Sequence, residues 1–195
     1  MELTTERLHL RPFTAADREA IHAVYSDPEV MRYVGHGAHR TPAETAAALR
    51  VYGEVLERRG FSFLAVTERD GGALVGDAGL HPLGDDIELG YTLARGAWGR
   101  GYATELGRAL LAYAFDVLGA ARVVAQVEPE NTASRRVLEK LGMRAVDTRT
   151  AYGRPHLLYE VLRGSSGPRS DRQSGIQSDE NLKQPAAPRG SSPPR

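Results

Sequence analysis

The stretch best suited to chemistry is a glycine-rich loop that separates an alternating segment from a helical one. Gly96, Gly99 and Gly101 leave the backbone free to turn tightly and to approach a ligand. From Tyr102 onward, apolar residues recur at steps of three and four, which predicts a helix. The free N–H groups at the start of such a helix bind phosphate or pyrophosphate. The pattern therefore indicates a phosphate-containing ligand, unless the loop is an ordinary strand-to-helix turn.

Two arginines and an alternating segment beside the loop fit the same interpretation. Arg95 and Arg100 can add charge-assisted hydrogen bonds to an anion held by the loop. In residues 87–93, apolar side chains alternate with small or polar ones, Glu88 among them, which predicts a half-buried strand. We expect the strand, the loop and the helix to form one ligand-binding unit.

Two common phosphate loops agree less well with this sequence. A P-loop requires Lys and then Ser or Thr directly after its second glycine, whereas Tyr102 and Ala103 occupy those places. A dinucleotide fingerprint requires a third glycine, and Thr104 stands at its position. An oxidoreductase that binds NAD stays open as the weaker alternative.

Three phrases resemble the GCN5-related N-acetyltransferases, and within them the branch that acetylates ribosomal-protein N-termini. Trp98–Glu105 resembles the phrase Trp-Gly-x-Gly-Tyr-Ala-Thr-Glu of that branch, although Gly96 stands where the family has Arg or Gln. Thr5–Arg11 resembles its first-strand phrase Thr-Glu-Arg-Leu-x-Leu-Arg. Asn131–Gly142 is similar to the family's Asn-x-x-Ser…Leu-x-Lys-x-Gly-Phe segment, with Met143 in place of Phe.

The resemblance implies a mixed α/β fold with a central, mostly antiparallel sheet and about four flanking helices. One pair of parallel strands should splay apart and admit the pantetheine arm of a coenzyme. The order of elements agrees, because residues 61–67, 73–80 and 87–93 read as a three-stranded meander. Residues 122–127 follow a helix and should therefore lie parallel to the strand at 87–93.

Caps and breakers predict other elements. Residues 2–13 indicate a first strand, and Thr14 is the predicted N-cap of a helix that ends before Asp27. Residues 29–39 show no regular pattern. The next helix begins at Thr41–Glu44, a capping box with proline at the first helical position.

The end of the chain differs from the rest in composition. Residues 143–162 predict a last hairpin. Half of the residues in 164–195 are Pro, Gly or Ser. The segment has too few large apolar residues for their burial to offset the entropy lost by ordering the chain. We predict one acetyltransferase domain over residues 1–163 and a disordered tail over residues 164–195.

The overall composition narrows the class of protein. The 195 residues include 25 Lys or Arg and 25 Asp or Glu, so no net charge favours nucleic acid or an anionic membrane. The sequence shows neither an apolar run that could cross a membrane nor an N-terminal signal core. Cysteine is absent, and the histidines lack metal-ligand spacing. We expect a cytoplasmic protein without a metal, and leave a homodimer open.

The resemblance implies that acetyl-CoA is the co-substrate and assigns residues to it. Asn131 would hold the pantetheine amide or a water, and Ser134 would hydrogen-bond or protonate the leaving thiolate. The remaining coenzyme contacts fall on the strand end and the loop, at Leu93, Ala94, Arg95, Gly99, Arg100, Gly101, Tyr102, Ala103 and Thr104.

The base that the reaction needs depends on the acceptor amine. An α-amine has a pKa near 8, whereas deprotonating a lysine-type amine at pH 7 costs roughly 4–5 kcal/mol. Glu88 is the first candidate for a base acting through water, and Glu160 is the second; a solvated strand glutamate is the alternative for Glu88. We expect direct transfer from acetyl-CoA to a protein N-terminal α-amine or a small-molecule amine, and a non-catalytic acyl-CoA sensor is the main alternative.

Overall fold

The alternating segments of the sequence pair into one eight-stranded sheet. This sheet is seen in a computed structural model, which describes residues 1–164. In chain order the strands are β1 (Leu3–Thr4), β2 (Leu8–Arg11), β3 (Phe63–Glu68), β4 (Leu74–Leu83), β5 (Asp86–Leu93), β6 (Arg122–Val127), β7 (Arg144–Ala151) and β8 (Arg154–Leu162). They lie side by side in the order β1-β2-β3-β4-β5-β6-β8-β7.

The strands β5 and β6 run parallel, while the other neighbours in this sheet are antiparallel. The parallel pairing joins Ile87 to Val123 and Glu88 to Val124 and extends no further. The strand β5 nevertheless continues to Leu93, paired with β4 on its other side. A gap therefore opens between β5 and β6 beyond Glu88, and the predicted mixed fold with one splayed parallel pair is confirmed.

Five α-helices connect the strands in the described part of the chain. They are α1 (Arg18–Tyr25), α2 (Pro28–Met31), α3 (Pro42–Arg59), α4 (Tyr102–Ala112) and α5 (Thr132–Lys140). A 3₁₀ turn precedes α1, and a π-helical turn extends α4. The capping box predicted at the start of α3 is present, since the Glu44 carboxylate accepts from the Thr41 N–H at 2.7 Å.

Two apolar cores fix the sheet against its helices. The larger core packs Leu106 of α4 and Leu138 of α5 onto the strands, where it includes Leu89. The smaller core contains Ile21 of α1 and Met31 of α2. Because side chains alternate along a strand, the β5 residues between those of the larger core point to the opposite face, where α1, α2 and α3 lie.

The prediction of one strand over residues 2–13 is wrong in detail, because the chain turns back in the middle of it. The strands β1 and β2 form an antiparallel hairpin in which Leu3 pairs with Leu10. The carboxylate of Glu105 on α4 accepts from the Thr5 hydroxyl at 2.6 Å and from the Arg7 N–H at 2.9 Å. This distant carboxylate stabilises a turn that the local sequence does not predict.

The segment 29–39 is less irregular than predicted, because α2 occupies its start. Asp27 is the N-cap and accepts from the Glu29 N–H at 3.0 Å, and Pro28 takes the first helical position. The end of α1 before Asp27 is confirmed. The predicted disordered tail lies outside the described residues, apart from Gly164.

Candidate active site

Two cavities meet at the gap between β5 and β6. The loop cavity, of about 460 Å³, lies beside the glycine loop and the starts of α4 and α5. The sheet cavity, of about 620 Å³, lies over β4 and β5 beneath the segment that joins α2 to α3. Six residues line both cavities: Tyr33, Val34, Tyr91, Thr92, Asn131 and Ser134. A ligand in one cavity can therefore reach a ligand in the other.

The glycine loop forms one wall of the loop cavity. Gly99 and Gly101 have φ values of 73° and 80°, a left-handed conformation that favours glycine. Gly101 is the N-cap of α4, and Tyr102–Thr104 follow as the first helical residues that line the cavity. The N–H groups of a first turn have no carbonyl of a preceding turn to bond, so they are free to bind an anion.

Two basic side chains that the sequence analysis missed complete the loop cavity. Arg136 and Lys140 of α5 both line it, together with Gly99 and Gly101 of the glycine loop. They are four residues apart and therefore lie on one face of the helix. This spacing, together with the N-cap at Asn131, is the signal that would have identified them.

Arg95 and Arg100 are paired with carboxylates of the protein itself in this structure. The Arg95 Nε donates to Asp27 Oδ2 at 2.6 Å, and Arg100 Nη1 donates to Glu68 Oε1 at 2.5 Å. Neither side chain lines the loop cavity, and neither does Ala94, whose N–H donates to the Val75 carbonyl oxygen at 2.9 Å. These two arginines brace the loop against its neighbours, and their predicted contacts with the coenzyme stay predictions.

At the junction of the cavities, Tyr91 of β5 contacts Ser134 of α5. The Tyr91 hydroxyl donates to Ser134 Oγ at 3.2 Å, and the Ser134 N–H donates to Asn131 Oδ1 at 3.1 Å. Asn131 is thus the N-cap of α5. Burial raises the pKa of the Tyr91 hydroxyl, which keeps it protonated and able to donate. The sequence predicts Tyr91 only as a strand residue.

The sheet cavity contains Glu88, the first candidate base. Glu88 Oε1 accepts from Gln126 Nε2 at 2.9 Å, and His81 is its partner in the register of β4 and β5. Glu160, the second candidate, lines neither cavity. Its carboxylate accepts from Arg122 at 3.1 Å and from Arg144 at 3.0 Å. The structure therefore brings Glu88, and not Glu160, to the cavity that adjoins Ser134.

A second carboxyl group lies in the wall of the sheet cavity. Asp77 of β4 is 1% exposed and faces Thr92 of β5 in register. Burial raises the pKa of this carboxyl group to about 7, and the Thr92 hydroxyl and Arg40 oppose the rise only in part. Its Oδ1 atom has no hydrogen-bond partner among the described residues. The signal in the sequence is an acidic residue inside an otherwise apolar strand.

The match to known proteins agrees with this geometry. A family model described as an acetyltransferase (GNAT) domain matches residues 7–144. The chain belongs to the GNAT family of acetyltransferases. It is therefore an acyltransferase, and the NAD-dependent alternative is set aside.

Relatives of this acetyltransferase include proteins of known and unknown substrate. It is 34% identical to the N-acetyltransferase YoaA of Bacillus subtilis (strain 168) over 144 residues, which cover 72% of this chain and 81% of that protein. It is 32% identical to the FsC-acetyl coenzyme A-N(2)-transacetylase of Aspergillus fumigatus over 161 residues, 75% of this chain and 66% of that protein.

A solved GNAT structure has the same arrangement of elements. The crystal structure of an acetyltransferase from Bacillus anthracis is 29% identical and superposes with a TM-score of 0.74. The superposition covers 83% of this acetyltransferase and 98% of that chain.

Two further properties of the acetyltransferase concern residues 1–164. In this range no helix combines the length and the apolar composition needed to cross a membrane. The same residues form no cluster of three or more His, Asp or Glu side chains that could hold a metal ion.

Proposed function

We propose that this acetyltransferase transfers an acetyl group from acetyl-CoA to a primary amine by direct attack in a ternary complex. The observation that carries the proposal is the meeting of two cavities at Tyr91, Asn131 and Ser134. One cavity has the features of an anion site and the other contains the Glu88 carboxylate. Holding both substrates at such a junction supplies much of the acceleration through proximity.

The donor fits the loop cavity. The first-turn N–H groups of α4 bind the pyrophosphate, and Arg136 and Lys140 add charge-assisted hydrogen bonds. The pantetheine arm follows β5 into the gap, where Leu93 and Asn131 line its path. The name of the Aspergillus relative, which includes acetyl coenzyme A, supports this donor.

The acceptor amine enters from the sheet cavity and loses a proton before it attacks. Glu88 takes this proton through a water molecule, and Gln126 holds the carboxylate in place with a bond of 2.9 Å. The amine nitrogen then forms a bond to the thioester carbonyl carbon. The carbon–sulfur bond breaks, the coenzyme leaves as its thiolate, and the second proton lost by the amine nitrogen passes to this thiolate, which is released as the thiol.

Ser134 stabilises the departing thiolate. Because the Tyr91 hydroxyl donates to Ser134 Oγ, the hydroxyl hydrogen of Ser134 is free to point at the sulfur. Tyr91 strengthens this interaction by polarising the Ser134 hydroxyl. Chain residues thus act at both ends of the reaction: Glu88 removes a proton and Ser134 supports the new negative charge.

For the acceptor we propose a protein N-terminal α-amine or a small-molecule amine. The phrases Thr5–Arg11 and Trp98–Glu105 support the branch that acetylates ribosomal-protein N-termini. A carboxylate that acts through water also suits an amine of pKa near 8 better than a lysine-type amine.

The test begins with calorimetric titration of the full chain with acetyl-CoA, NAD and ATP. We expect binding of acetyl-CoA alone, followed by thiol release with an α-amine peptide or a small amine from a panel. An acetylated protein detected by intact mass after mixing with acetyl-CoA alone would contradict direct transfer. Binding without turnover of any amine, unchanged in Ser134→Ala and Glu88→Gln, would indicate a sensor instead.

A further inference from the structure

Arg154, the first residue of β8, ties together three segments around the sheet cavity. Its Nη1 atom donates to the Arg32 carbonyl oxygen at 3.2 Å, and its Nη2 atom donates to the Gly35 carbonyl oxygen at 2.8 Å. The same guanidinium pairs with the buried carboxylate of Glu128, at 3.1 Å and 2.8 Å. One side chain therefore joins the β7–β8 hairpin, the turn after β6 and residues 32–41, which we call the cleft loop.

The cleft loop is shaped around this guanidinium. Gly37 has a φ of 74°, and a Cβ atom there would lie 2.9 Å from Arg154 Nη1. A second contact of the same hairpin supports the loop, since the Tyr152 ring meets the His36 ring edge-on at 5.4 Å. Tyr152 itself has a φ of 52°, a conformation that bulky residues adopt only when their surroundings impose it.

The cleft loop covers the place where the two cavities meet. Tyr33 and Val34 line both cavities, and His36, His39 and Arg40 line the sheet cavity. Displacement of the loop would therefore open the acceptor side to solvent.

The third segment held by Arg154 leads to the residues that act on the thiolate. The Glu128 carbonyl oxygen accepts from the Asn131 N–H at 3.0 Å, and Asn131 Oδ1 accepts from the Ser134 N–H. A carboxylate anchored at Glu128 therefore fixes the turn that begins α5. Arg154 contacts neither Ser134 nor Glu88 in this structure, so its influence on them is indirect.

We propose that Arg154 is a positioning residue that latches the cleft loop over the bound acceptor amine and couples this closure to the placement of Asn131 and Ser134. The acceptor enters when the Arg32 and Gly35 carbonyls leave the guanidinium, and closure restores both bonds. The identity of the molecule under the loop rests on the proposed function, whereas the latch itself does not.

Hydrogen exchange measures the latch without any substrate. Within the cleft loop, the backbone N–H groups of Val34, Gly37 and Arg40 donate to backbone carbonyl oxygens. In Arg154→Gln, which loses the charge-assisted bonds, we expect peptides covering these amides to exchange roughly ten- to hundredfold faster. Exchange in α4 serves as the internal reference and should not change.

Two variants keep the test specific. Arg154→Lys retains a positive charge to pair with Glu128, but its ammonium group cannot also donate to both carbonyl oxygens as the planar guanidinium does. The exchange rate of the cleft loop in this variant should therefore fall between those of wild type and Arg154→Gln. Arg149 belongs to the same hairpin, but among the described residues it makes no hydrogen bond to the cleft loop. In Arg149→Gln the cleft loop should therefore exchange at the wild-type rate. Equal loop exchange in all four proteins, or faster exchange throughout α4 as well, would overturn the latch.

Kinetics separate the latch from the proposed function. With an amine that is turned over, Arg154→Gln should raise the KM for the amine by about tenfold or more while the KM for acetyl-CoA stays within about twofold. If no amine is turned over but loop exchange responds as expected, the proposed function fails and the latch stands. If turnover is normal and loop exchange is unchanged, the latch fails and the function stands.

Discussion

Tyr91 of β5 donates a hydrogen bond to Ser134 of α5 across the mouth of the gap between β5 and β6, at 3.2 Å. The two residues are 43 positions apart in the sequence, and each belongs to an element that the sequence identifies separately. Their contact lies where the two cavities meet, which is the place where the thioester and the amine would react. We therefore expect Tyr91 and Ser134 to affect turnover jointly, which single and double variants can test.

Removal of the Tyr91 hydroxyl should slow turnover by acting through Ser134. We expect Tyr91→Phe to lower kcat about fivefold, the effect of one hydrogen bond, and Ser134→Ala to lower it about a hundredfold. In the double variant the Tyr91 change should add nothing, because its target is gone. Steady-state thiol release measures this, with Tyr113→Phe outside both cavities as the control. Fully multiplicative losses would show that the two hydroxyls act separately.

Replacement of Glu88 should lower kcat/KM most for the more basic amines. In Glu88→Gln, we expect kcat/KM at pH 7 to fall by at least about a hundredfold for an amine of pKa near 10. The loss should be smaller for an amine of pKa near 8, because a larger share of it is already neutral. Glu57→Gln, on the exposed side of α3, is the matched control. An equal loss for both amines would mean that Glu88 binds the acceptor rather than deprotonating it.

Asp77 should make the protein less stable as the pH rises from about 4 to 7. Its pKa is about 7 in the folded protein and near 4 in an unfolded chain. The folded state therefore holds this proton more tightly, and the free energy of unfolding falls across that window by up to roughly 4 kcal/mol. Asp77→Asn should remove this slope, so that the variant is more stable than wild type at pH 8, as measured by urea unfolding.

Asp17 provides a contrast of opposite sign. The Arg11 guanidinium, at 2.7 Å, lowers the pKa of Asp17 to about 2. Its contribution to stability is therefore present above pH 4 and is lost as the pH falls toward 2. Asp17→Asn should destabilise the protein at pH 8. If Asp77→Asn did the same, the carboxyl group of Asp77 would have a partner that outweighs its burial.

Trp98 should report coenzyme binding directly. It is the one tryptophan of the sequence, it is 47% exposed, and it lines the loop cavity. Its Nε1 atom donates to the Leu93 carbonyl oxygen at 2.7 Å, on the predicted path of the pantetheine arm. We expect acetyl-CoA to change the intrinsic tryptophan fluorescence, with no response to NAD. Unchanged emission at saturating acetyl-CoA would place the coenzyme elsewhere.

Arg136 and Lys140 should set the affinity for the phosphates. We expect Arg136→Gln and Lys140→Gln each to weaken acetyl-CoA binding by roughly tenfold, as the loss of one charge-assisted hydrogen bond predicts. Binding of acetyl-pantetheine, which lacks the pyrophosphate, should not change. Arg58→Gln, at the exposed end of α3, controls for net charge. An equal loss with acetyl-pantetheine would show that α5 has shifted as a whole.

The parts of this fold that local chemistry determines could be predicted from the sequence. The capping box at Thr41 and Glu44 and the last hairpin within residues 143–162 each depend on residues close together in the sequence. The parallel pairing of β6 with β5 could also be predicted, because two strands of one sheet that are joined through a helix usually run parallel.

The parts that depend on distant contacts could not be predicted. The turn between β1 and β2 requires Glu105, which lies about a hundred residues away. Arg154 reaches the Gly35 carbonyl across 119 positions, and no periodicity connects them. Asp77 was not predicted either, although an acidic residue in an apolar strand is a local sign of a buried carboxyl group.

The pairing between β5 and β6 also determines how the sheet is assembled. One half, β1 to β5, meets the other half, β6 to β8, through two residue pairs of backbone. Two side-chain links reinforce this seam: Arg122 Nε donates to Asp86 Oδ1 at 2.8 Å, and Gln126 donates to Glu88. This seam can therefore act as a hinge about which the two halves of the sheet rotate. Substitutions at Asp86 or Arg122, outside both cavities, would therefore change the width of the slot where the substrates meet.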